Sequence, residues 1–335
     1  MDDTLSVYQH PTLTILIDDN QSFLESLAFQ MNPHLAHKTF HDPRQAVNWL
    51  RNAYQSSPMV GTEPIRVGYD EETYSFERRQ ASIDIAGIYN LATERKRFSL
   101  PSVLVTDYAM PQMNGVEFCN AIQALPCKKI LLTGHADEKV AVNAFNRNLI
   151  DCYINKKDPA ASRQLEAEIL KLQKGFFKRQ TGTLKDLLSR HSYTFLSDPA
   201  IEELAGQLCS RYRFVEYYLF PNPAGLLFLD VHGKATLMVI ETRATLTSHY
   251  EIAMDQGAPP GLLNGLSEFR LVPFFSDTEG MYSSKIGDNW LSYCLPPQTL
   301  RGNQDYFWAL FDLPAHYLKQ PIYSYGEFLK EQASH

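Results

Sequence analysis

The segment Val103-Leu-Val-Thr-Asp-Tyr-Ala-Met-Pro-Gln-Met-Asn-Gly115 decides the fold of the N-terminal part of this chain. It begins as a continuous apolar run, which is the pattern of a strand buried on both faces. The run ends at Asp107, and a Met-Pro turn and an Asn-Gly pair precede a helical pattern that begins at Val116. Open α/β sheets bind ligands at the carboxyl ends of their strands, so Asp107 is expected to face such a crevice.

Three other apolar runs also end in polar side chains, and the types of these side chains suit metal and phosphoryl binding. The end residues are Asp18 and Asp19 after the first run, Thr133 after the second and Lys156 after the third. Clustered carboxylates raise one another's pKa, and a hard divalent cation such as Mg²⁺ relieves the repulsion. The ammonium and the hydroxyl are then suited to bind the oxygens of a phosphoryl group on Asp107, as in an aspartyl phosphate.

These runs and their end groups resemble the receiver domain of two-component response regulators over residues 12 to about 177. The family has an acidic pair, a phospho-accepting Asp, a Thr or Ser, and a Lys at the ends of its first, third, fourth and fifth strands. The D-Y-A-M-P-Q-M-N-G stretch around Asp107 is a specific match. The resemblance implies a CheY-like, flavodoxin-like α/β domain with a five-stranded parallel sheet in the order 2-1-3-4-5.

The resemblance also assigns a role to each matching residue. It makes Asp107 the phosphorylated residue. It implies that Mg²⁺ is held by the side chains of Asp19 and Asp107 and the backbone carbonyl of Ala109, with Asp18 acting through a water. It implies that Thr133 hydrogen-bonds the phosphoryl group, that Lys156 pairs with it, and that Tyr153 is the aromatic residue that rotates on switching.

Two features depart from the family pattern. The family follows its Lys with Pro across a cis bond, whereas Lys156 is followed by Lys157, and a cis bond before a non-proline residue costs about 2.5–4 kcal/mol. An insertion at roughly 55–100 also separates strands that the family joins compactly. We expect it to hold a loop with a short hairpin strand near 65–69 and an amphipathic helix within 78–95. Insertions of this length favour a protein contact surface, and the alternative is a helix that only covers a sheet flank.

The chain divides by pattern into a receiver domain at 1–158, a helical connector at 159–191 and an output domain at 192–335. Pro159 suits the first turn of the connector helix. The apolar residues of this helix follow a heptad spacing at Leu165, Ile169, Leu172 and Phe176. The connector is therefore either the last receiver helix in extended form or a short coiled coil that joins two chains.

The output domain is predicted to be α+β, with an antiparallel meander of three strands. The order of its elements also resembles the core of PD-(D/E)XK nucleases, with Asp230, Glu241 and Arg243 at the suggestive positions. A turn at His232-Gly233 would separate Asp230 and Glu241 by roughly 20 Å, too far for one metal ion, and an Arg does not deprotonate. We assign Asp230 to the turn and Glu241 to the start of the next helix. An active nuclease is disfavoured, and a degenerate version of that fold stays open.

Charge and cysteine content exclude several other classes. Residues 192–335 carry 9 Lys and Arg against 16 Asp and Glu, which disfavours DNA binding because DNA affinity comes mainly from neutralising phosphates. The five cysteines are scattered, which argues against a zinc site or a disulfide framework and predicts a cytoplasmic location. The N-terminus lacks a signal-peptide pattern, and no apolar run reaches the ~18 residues of a membrane span.

We therefore interpret the chain as a phosphorelay response regulator and not as an enzyme. The resemblance implies that a sensor histidine kinase or a phosphotransfer protein donates a phosphoryl group to Asp107 in the presence of Mg²⁺. The output domain would then bind a downstream protein or form a homodimer. A regulated nucleic-acid-binding or nuclease-like protein, and a receiver that signals without phosphate, stay open as alternatives. The architecture as a whole also resembles quorum-sensing response regulators.

Overall fold

The computed structural model describes residues 4–56, 65–69, 79–134, 138–190, 192–278, 280–318 and 321–334. The strands in these ranges are β1 (Tyr8–Gln9), β2 (Leu13–Ile17), β3 (His37–Phe40), β4 (Ile65–Tyr69), β5 (Arg79–Ile83), β6 (Pro101–Asp107), β7 (Lys128–Thr133), β8 (Cys152–Asn155), β9 (Phe214–Phe220), β10 (Gly225–Asp230), β11 (Ala235–Thr242), β12 (Val272–Pro273), β13 (Cys294–Leu295), β14 (Gln298–Arg301) and β15 (Asp305–Asp312). The α-helices are α1 (Gln21–Gln30), α2 (Pro43–Gln55), α3 (Ile85–Asn90), α4 (Gly115–Ala121), α5 (Glu138–Asn146), α6 (Ala161–Ser189), α7 (Pro199–Tyr212), α8 (Arg243–Asp255), α9 (Pro260–Ser267) and α10 (Tyr325–Ala333). In the part of the chain that the structure describes, none of the helices is both long and apolar enough to cross a bilayer.

Two compact units divide the chain, and each unit takes segments from separate parts of the sequence. The parallel-sheet unit contains residues 10–63, 94–180 and 325–335. The antiparallel-sheet unit contains residues 1–9, 64–93 and 181–324. The chain therefore passes from one unit to the other five times along its length.

The parallel-sheet unit is built on a five-stranded sheet in the order β3-β2-β6-β7-β8. All neighbouring strands are parallel, which confirms the predicted order 2-1-3-4-5. Every residue of β2 and β6 is buried, as expected of continuous apolar runs in a sheet covered on both faces. Helices α1 and α6 contribute Leu24 and Ile169 to the core on one face.

A six-stranded antiparallel sheet in the order β1-β9-β10-β11-β15-β14 forms the centre of the other unit. It contains the predicted meander as β9, β10 and β11, and the turn after β10 contains Gly233, whose φ is 81°. Successive residues of β10 enter opposite cores, so Leu226 packs with α7 and Leu227 packs with α8 and α9. This alternation follows from the two-residue period of a strand and confirms the predicted α+β class.

The composition of the two units differs from the predicted three-part division at three points. Strand β1 pairs with β9, and Tyr8 lies opposite Tyr218, so the N-terminus adds an edge strand to the antiparallel sheet. Residues 64–93 of the insertion belong to the same unit. Helix α10 belongs to the parallel-sheet unit, where the Tyr325 hydroxyl donates to the His34 carbonyl at 2.7 Å. Segments from distant parts of the sequence thus complete each core.

The described part of the insertion is a hairpin followed by a short helix. Strand β4 confirms the predicted hairpin strand and pairs with β5. The prediction of a helix within 78–95 is wrong for residues 79–83, which form β5, and is confirmed for residues 85–90, which form α3. Asp84 caps α3, because its side chain accepts a hydrogen bond from the Gly87 N–H at 2.9 Å. Ile88 of α3 is buried in a core of the antiparallel sheet, as the alternative of a covering helix predicts. The part of the predicted loop that precedes β4, at 57–64, lies outside the described residues.

The connector helix is confirmed as α6, but its heptad seam lies inside its own chain. Leu165 and Ile169 are 2% and 0% exposed, and they pack in the core of the parallel-sheet unit. Phe176 is also buried. The interpretation of this seam as a two-chain coiled coil is therefore wrong, because the residues that would form it are already covered by the chain that carries them.

Candidate functional site

Strand register brings the predicted residues to one edge of the parallel sheet. The last residue of β2 lies opposite Thr106, and Asp107 lies opposite the penultimate residue of β7. Asp18, Asp107 and Thr133 therefore leave the carboxyl ends of neighbouring strands together. Lys156 follows β8, and its backbone N–H donates to the Thr133 carbonyl at 3.0 Å. This edge is where open α/β sheets bind their ligands.

Three carboxylates converge at this edge. One oxygen from each of Asp18, Asp19 and Asp107 lies within 4.8 Å of the others, with Asp19 exposed and the other two buried. A cluster of carboxylate oxygens with one exposed member fits Mg²⁺, a hard cation that prefers oxygen ligands and keeps several waters. The predicted side-chain ligands are therefore brought together, whereas the role of the Ala109 carbonyl stays a prediction.

Lys156 places a positive charge between two of these carboxylates. Its Nζ lies 2.6 Å from Asp18 Oδ2 and 2.9 Å from Asp107 Oδ1. Cis peptide bonds in the described residues are limited to Asn222–Pro223, so the bond between Lys156 and Lys157 is trans. The departure from the family's Lys-Pro pattern thus leaves the lysine side chain directed at the acidic group.

Burial raises the pKa of Asp18, because the charged carboxylate loses its hydration. The hydrogen bonds from Lys156 and from Asn20 N–H act in the opposite direction, and the charge of Asp107 adds to the increase. The Asn20 N–H lies 2.9 Å from Asp18 Oδ1. A cation at this place would favour the ionised form of Asp18, as expected for a metal ligand.

The turn after Asp107 is held by short-range backbone contacts. The Ala109 N–H donates to Asp107 Oδ2 at 3.1 Å, and the Gly115 N–H donates to the Tyr108 carbonyl at 3.0 Å. A Cβ at position 115 would clash with the Asp107 carbonyl oxygen, so a side chain there would force the backbone to shift. Asn114 caps α4. The Asn-Gly pair therefore allows the helix to begin directly against the end of β6.

Thr133 and Tyr153 have different surroundings. Thr133 is 2% exposed at the same sheet edge as Asp107, and its hydroxyl donates to the Ile154 carbonyl at a long 3.5 Å. Tyr153 is half-buried, and its ring centroid lies 6.5 Å from that of Phe145 in an edge-on arrangement. The roles of both residues in switching stay predictions.

Phe23 is a site residue that the sequence patterns did not single out. It lies in the first turn of α1, and the Lys156 Nζ lies over its ring, 4.2 Å from the centroid. The one sequence feature that could have identified Phe23 is its place as an aromatic residue in the first helical turn after the acidic pair Asp18-Asp19. The helical period explained that residue equally well as part of the core, so only the structure connects it to the lysine.

The residues of the nuclease-like pattern do not converge. Asp230 accepts hydrogen bonds from two backbone N–H groups of the β10–β11 turn, at 2.8 and 2.9 Å, as predicted. Glu241 lies in β11 and not at the start of a helix as predicted, and it is buried with an oxygen 3.2 Å from Nε2 of His249. Arg243 lies 3.3 Å from Asp305. Each residue therefore has a local structural partner.

A comparison with protein families supports the receiver-like site. The family model described as "Response regulator receiver domain" matches residues 73–169 of this chain. The matched range includes Asp107, Thr133 and Lys156 and starts after Asp18. The insertion lies between these two parts of the site, so the structure is needed to join them.

Two individual proteins extend the comparison. The structure of the Legionella pneumophila response regulator LqsR has 29% sequence identity and a TM-score of 0.79, and the match covers 99% of this chain and 97% of that chain. The transcriptional regulatory protein HptR of Staphylococcus aureus (strain N315) is 29% identical over 91 residues, which are 27% of this chain and 35% of that protein. The chain therefore matches about a third of the curated relative, whereas the similarity to LqsR extends over both units.

Proposed function

Because this chain is a response regulator with a receiver domain, we propose that Asp107 accepts a phosphoryl group from a sensor histidine kinase or a phosphotransfer protein. The observation that carries the proposal is the Lys156 ammonium, 2.6 Å from Asp18 and 2.9 Å from Asp107. Phosphoryl transfer depends mainly on positioning and on neutralising charge. A cation fixed against the acceptor carboxylate supports both requirements.

Magnesium is part of the proposal because acceptor and donor are both anionic. Asp19 and Asp107 would hold the ion directly and Asp18 would hold it through a water, and the Ala109 carbonyl is the further ligand that the family resemblance implies. When bound, Mg²⁺ would supply positive charge against the carboxylates and the phosphoryl oxygens. The mutual repulsion of three carboxylates within 4.8 Å supports this assignment.

In the proposed reaction, a carboxylate oxygen of Asp107 forms a bond to phosphorus, and the donor leaves with the electrons of its former bond to phosphorus. Lys156 would exchange its contact with Asp18 for one with a phosphoryl oxygen. Thr133 would give up its long hydrogen bond to the Ile154 carbonyl and donate to the same group. These two exchanges are the local changes from which switching would begin.

Phosphorylation can shift a conformational equilibrium only by interacting differently with the two states. We propose that the responding surface includes α5, β8 and α6, as the family resemblance implies. Val140, Val142 and Phe145 leave apolar side chains exposed on α5, at 39%, 39% and 47%, and Phe145 contacts Tyr153. An exposed apolar group beside the predicted switch residue supports a homodimer or partner-protein surface.

The antiparallel-sheet unit is proposed to act by protein binding or oligomerisation and not by cleaving nucleic acid. Its Glu241 is buried against His249, and residues 192–335 have more acidic than basic side chains. All five cysteines are free thiols, which supports a reducing cytoplasm as the proposed location. A role in quorum sensing stays a prediction from the sequence resemblance.

Mass spectrometry of the full chain after acetyl phosphate treatment tests the proposal. We expect one phosphoryl group on the wild type with Mg²⁺, little labelling after chelation, and no labelling of Asp107→Asn. Asp151→Asn, an acidic residue at the opposite end of the sheet, is the control and should label normally. Labelling of Asp107→Asn at the wild-type rate, or equal labelling with and without Mg²⁺, would contradict the proposal.

A further inference from the structure

We propose that Phe23 is a positioning residue for phosphoryl acceptance, because its ring holds the Lys156 ammonium beside Asp107. The proposal rests on the function proposed above and adds a residue to the same site. Neither the family pattern nor the strand-end motif includes this position. The contact joins α1 to the loop after β8. The order of these two elements in the chain does not predict that they meet beside Asp107.

The position of the Phe23 ring is determined by the start of α1. Asn20 caps the helix, and its side-chain oxygen accepts a hydrogen bond from the Phe23 N–H at 3.1 Å. Phe23 also packs as a partly buried residue against the core of the parallel-sheet unit. The ring is therefore held by its own backbone and by the core, so it can act as a fixed surface for a mobile side chain.

The geometry of the contact is that of a cation–π interaction. Lys156 Nζ lies 4.2 Å from the Phe23 ring centroid, within the ~6 Å over which such pairs attract. The ammonium has three donors, and Asp18 and Asp107 each accept at one side. The ring covers a further side without taking a hydrogen bond. Lys156 is thus left with a side-chain exposure of 24%.

The Phe23 ring is expected to contribute most to the position of Lys156 when the contacts of the ammonium with Asp18 and Asp107 change. A lysine has a flexible four-carbon stem and loses its fixed position easily. A cation on the carboxylates would compete with Lys156 for Asp18, whereas the contact with the uncharged ring would persist. Phe23 would therefore keep the ammonium near Asp107 at the moment when the phosphoryl donor arrives. The same helix offers a control residue in Phe29, which is 92% exposed and lies six residues after Phe23.

Three variants of the full chain separate positioning from simple packing. Phe23→Leu keeps apolar bulk and removes the aromatic face, Phe23→Tyr keeps the face, and Phe29→Leu removes an aromatic ring from the same helix. Initial rates of Asp107 labelling are measured by mass spectrometry against acetyl phosphate concentration at saturating Mg²⁺. For Phe23→Leu we expect the half-saturating concentration of acetyl phosphate to rise about threefold to tenfold. Without the ring, the Lys156 ammonium would be less fixed and would bind the phosphoryl oxygens of acetyl phosphate more weakly. The maximal rate should change less.

The comparison among the variants decides the outcome. Phe23→Tyr should stay within about twofold of the wild type, and Phe29→Leu should match it. The inference is overturned if Phe23→Leu labels with the wild-type concentration dependence, or if Phe23→Tyr is as impaired as Phe23→Leu. A wild type that does not label at Asp107 would instead overturn the proposed function, so the two failures are distinguishable. Circular dichroism and thermal melts of each variant identify any loss that comes from unfolding.

Discussion

Lys156 Nζ lies 2.6 Å from Asp18 Oδ2, although 138 residues separate the two positions in the chain. The carboxylate is almost fully buried, so the ammonium partly replaces the water it has lost. In the proposed function, a metal ion and this ammonium compete for the same carboxylate. The competition leads to predictions about metal affinity and its pH dependence.

Removing the charge of Lys156 should strengthen Mg²⁺ binding while weakening phosphoryl acceptance. We expect Lys156→Gln to bind Mg²⁺ about tenfold more tightly, because a positive charge a few ångströms from the ion is lost. Labelling by acetyl phosphate should slow at the same time. The control is Lys157→Gln, which removes an exposed charge one residue away and should change affinity little. Calorimetric titration with MgCl₂ measures both variants, and weaker binding by Lys156→Gln would contradict the competition.

Mg²⁺ affinity should depend on the ionisation of Asp18. The pKa of this carboxyl is raised by burial, so the ionised form that binds a metal is present above the raised pKa and is lost as the pH falls through it. We expect the loss of affinity to begin at a higher pH than the ordinary Asp pKa of about 3.9 would give. Asp18→Asn should bind more weakly and show a flatter pH profile in Mg²⁺ titrations. Identical pH slopes for the two proteins would argue against this role.

A side chain at position 115 should disrupt the turn that carries Asp107. A Cβ there would lie 2.3 Å from the Asp107 carbonyl oxygen and 2.6 Å from Leu131 Cδ1. We expect Gly115→Ala to cost about 1–3 kcal/mol, as overpacking does, and to slow labelling. Gly175→Ala in α6 is the control, since its nearest neighbour would be 4.0 Å away, and it should stabilise the helix by about 0.5–1 kcal/mol. Calorimetric unfolding of both variants would show opposite shifts, and equal shifts would refute the steric argument.

The buried Glu241–His249 pair should be structural. The two side chains are 4% and 5% exposed and 3.2 Å apart. We expect His249→Leu to destabilise the antiparallel-sheet unit by about 3 kcal/mol or more, because it leaves the buried Glu241 carboxyl group without its hydrogen-bond partner. Adding Glu241→Met should recover much of this loss. Thermal melts of the single and double variants test the coupling, and additive effects would mean that the pair does not interact.

The predicted output segment should not fold well alone. Residues 192–335 lack Leu5, Val7, Ile88 and Leu188, which are buried with Leu226 in the core between the antiparallel sheet and α7. We expect a 192–335 fragment to be less stable than the same unit in the full chain, with broader melting and exposed apolar surface. Dye binding and hydrogen exchange measure this. In the full chain, Leu5→Ala should cost about 2–5 kcal/mol, and a fragment as protected as the full chain would contradict the assignment.

Local signals predicted the parallel sheet and most of its site. Each strand is a short apolar run followed by a polar residue, and the direction of parallel strands sends all such residues to one edge. Asp18, Asp107, Thr133 and Lys156 could therefore be assigned together from their order. The meander of the second unit was predictable for a similar reason, since a Gly turn joins two apolar runs there.

The amino-acid sequence by itself determined the two sheet types and the acidic strand ends, because strand period and turn residues are properties of neighbouring positions. Only the tertiary structure decided that α6 buries its heptad seam in its own chain, that the N-terminus and α3 complete the second core, and that Phe23 meets Lys156. Those relationships depend on which faces pack together over long separations. A pattern along the chain shows that a face is apolar, but the folded core selects what covers it.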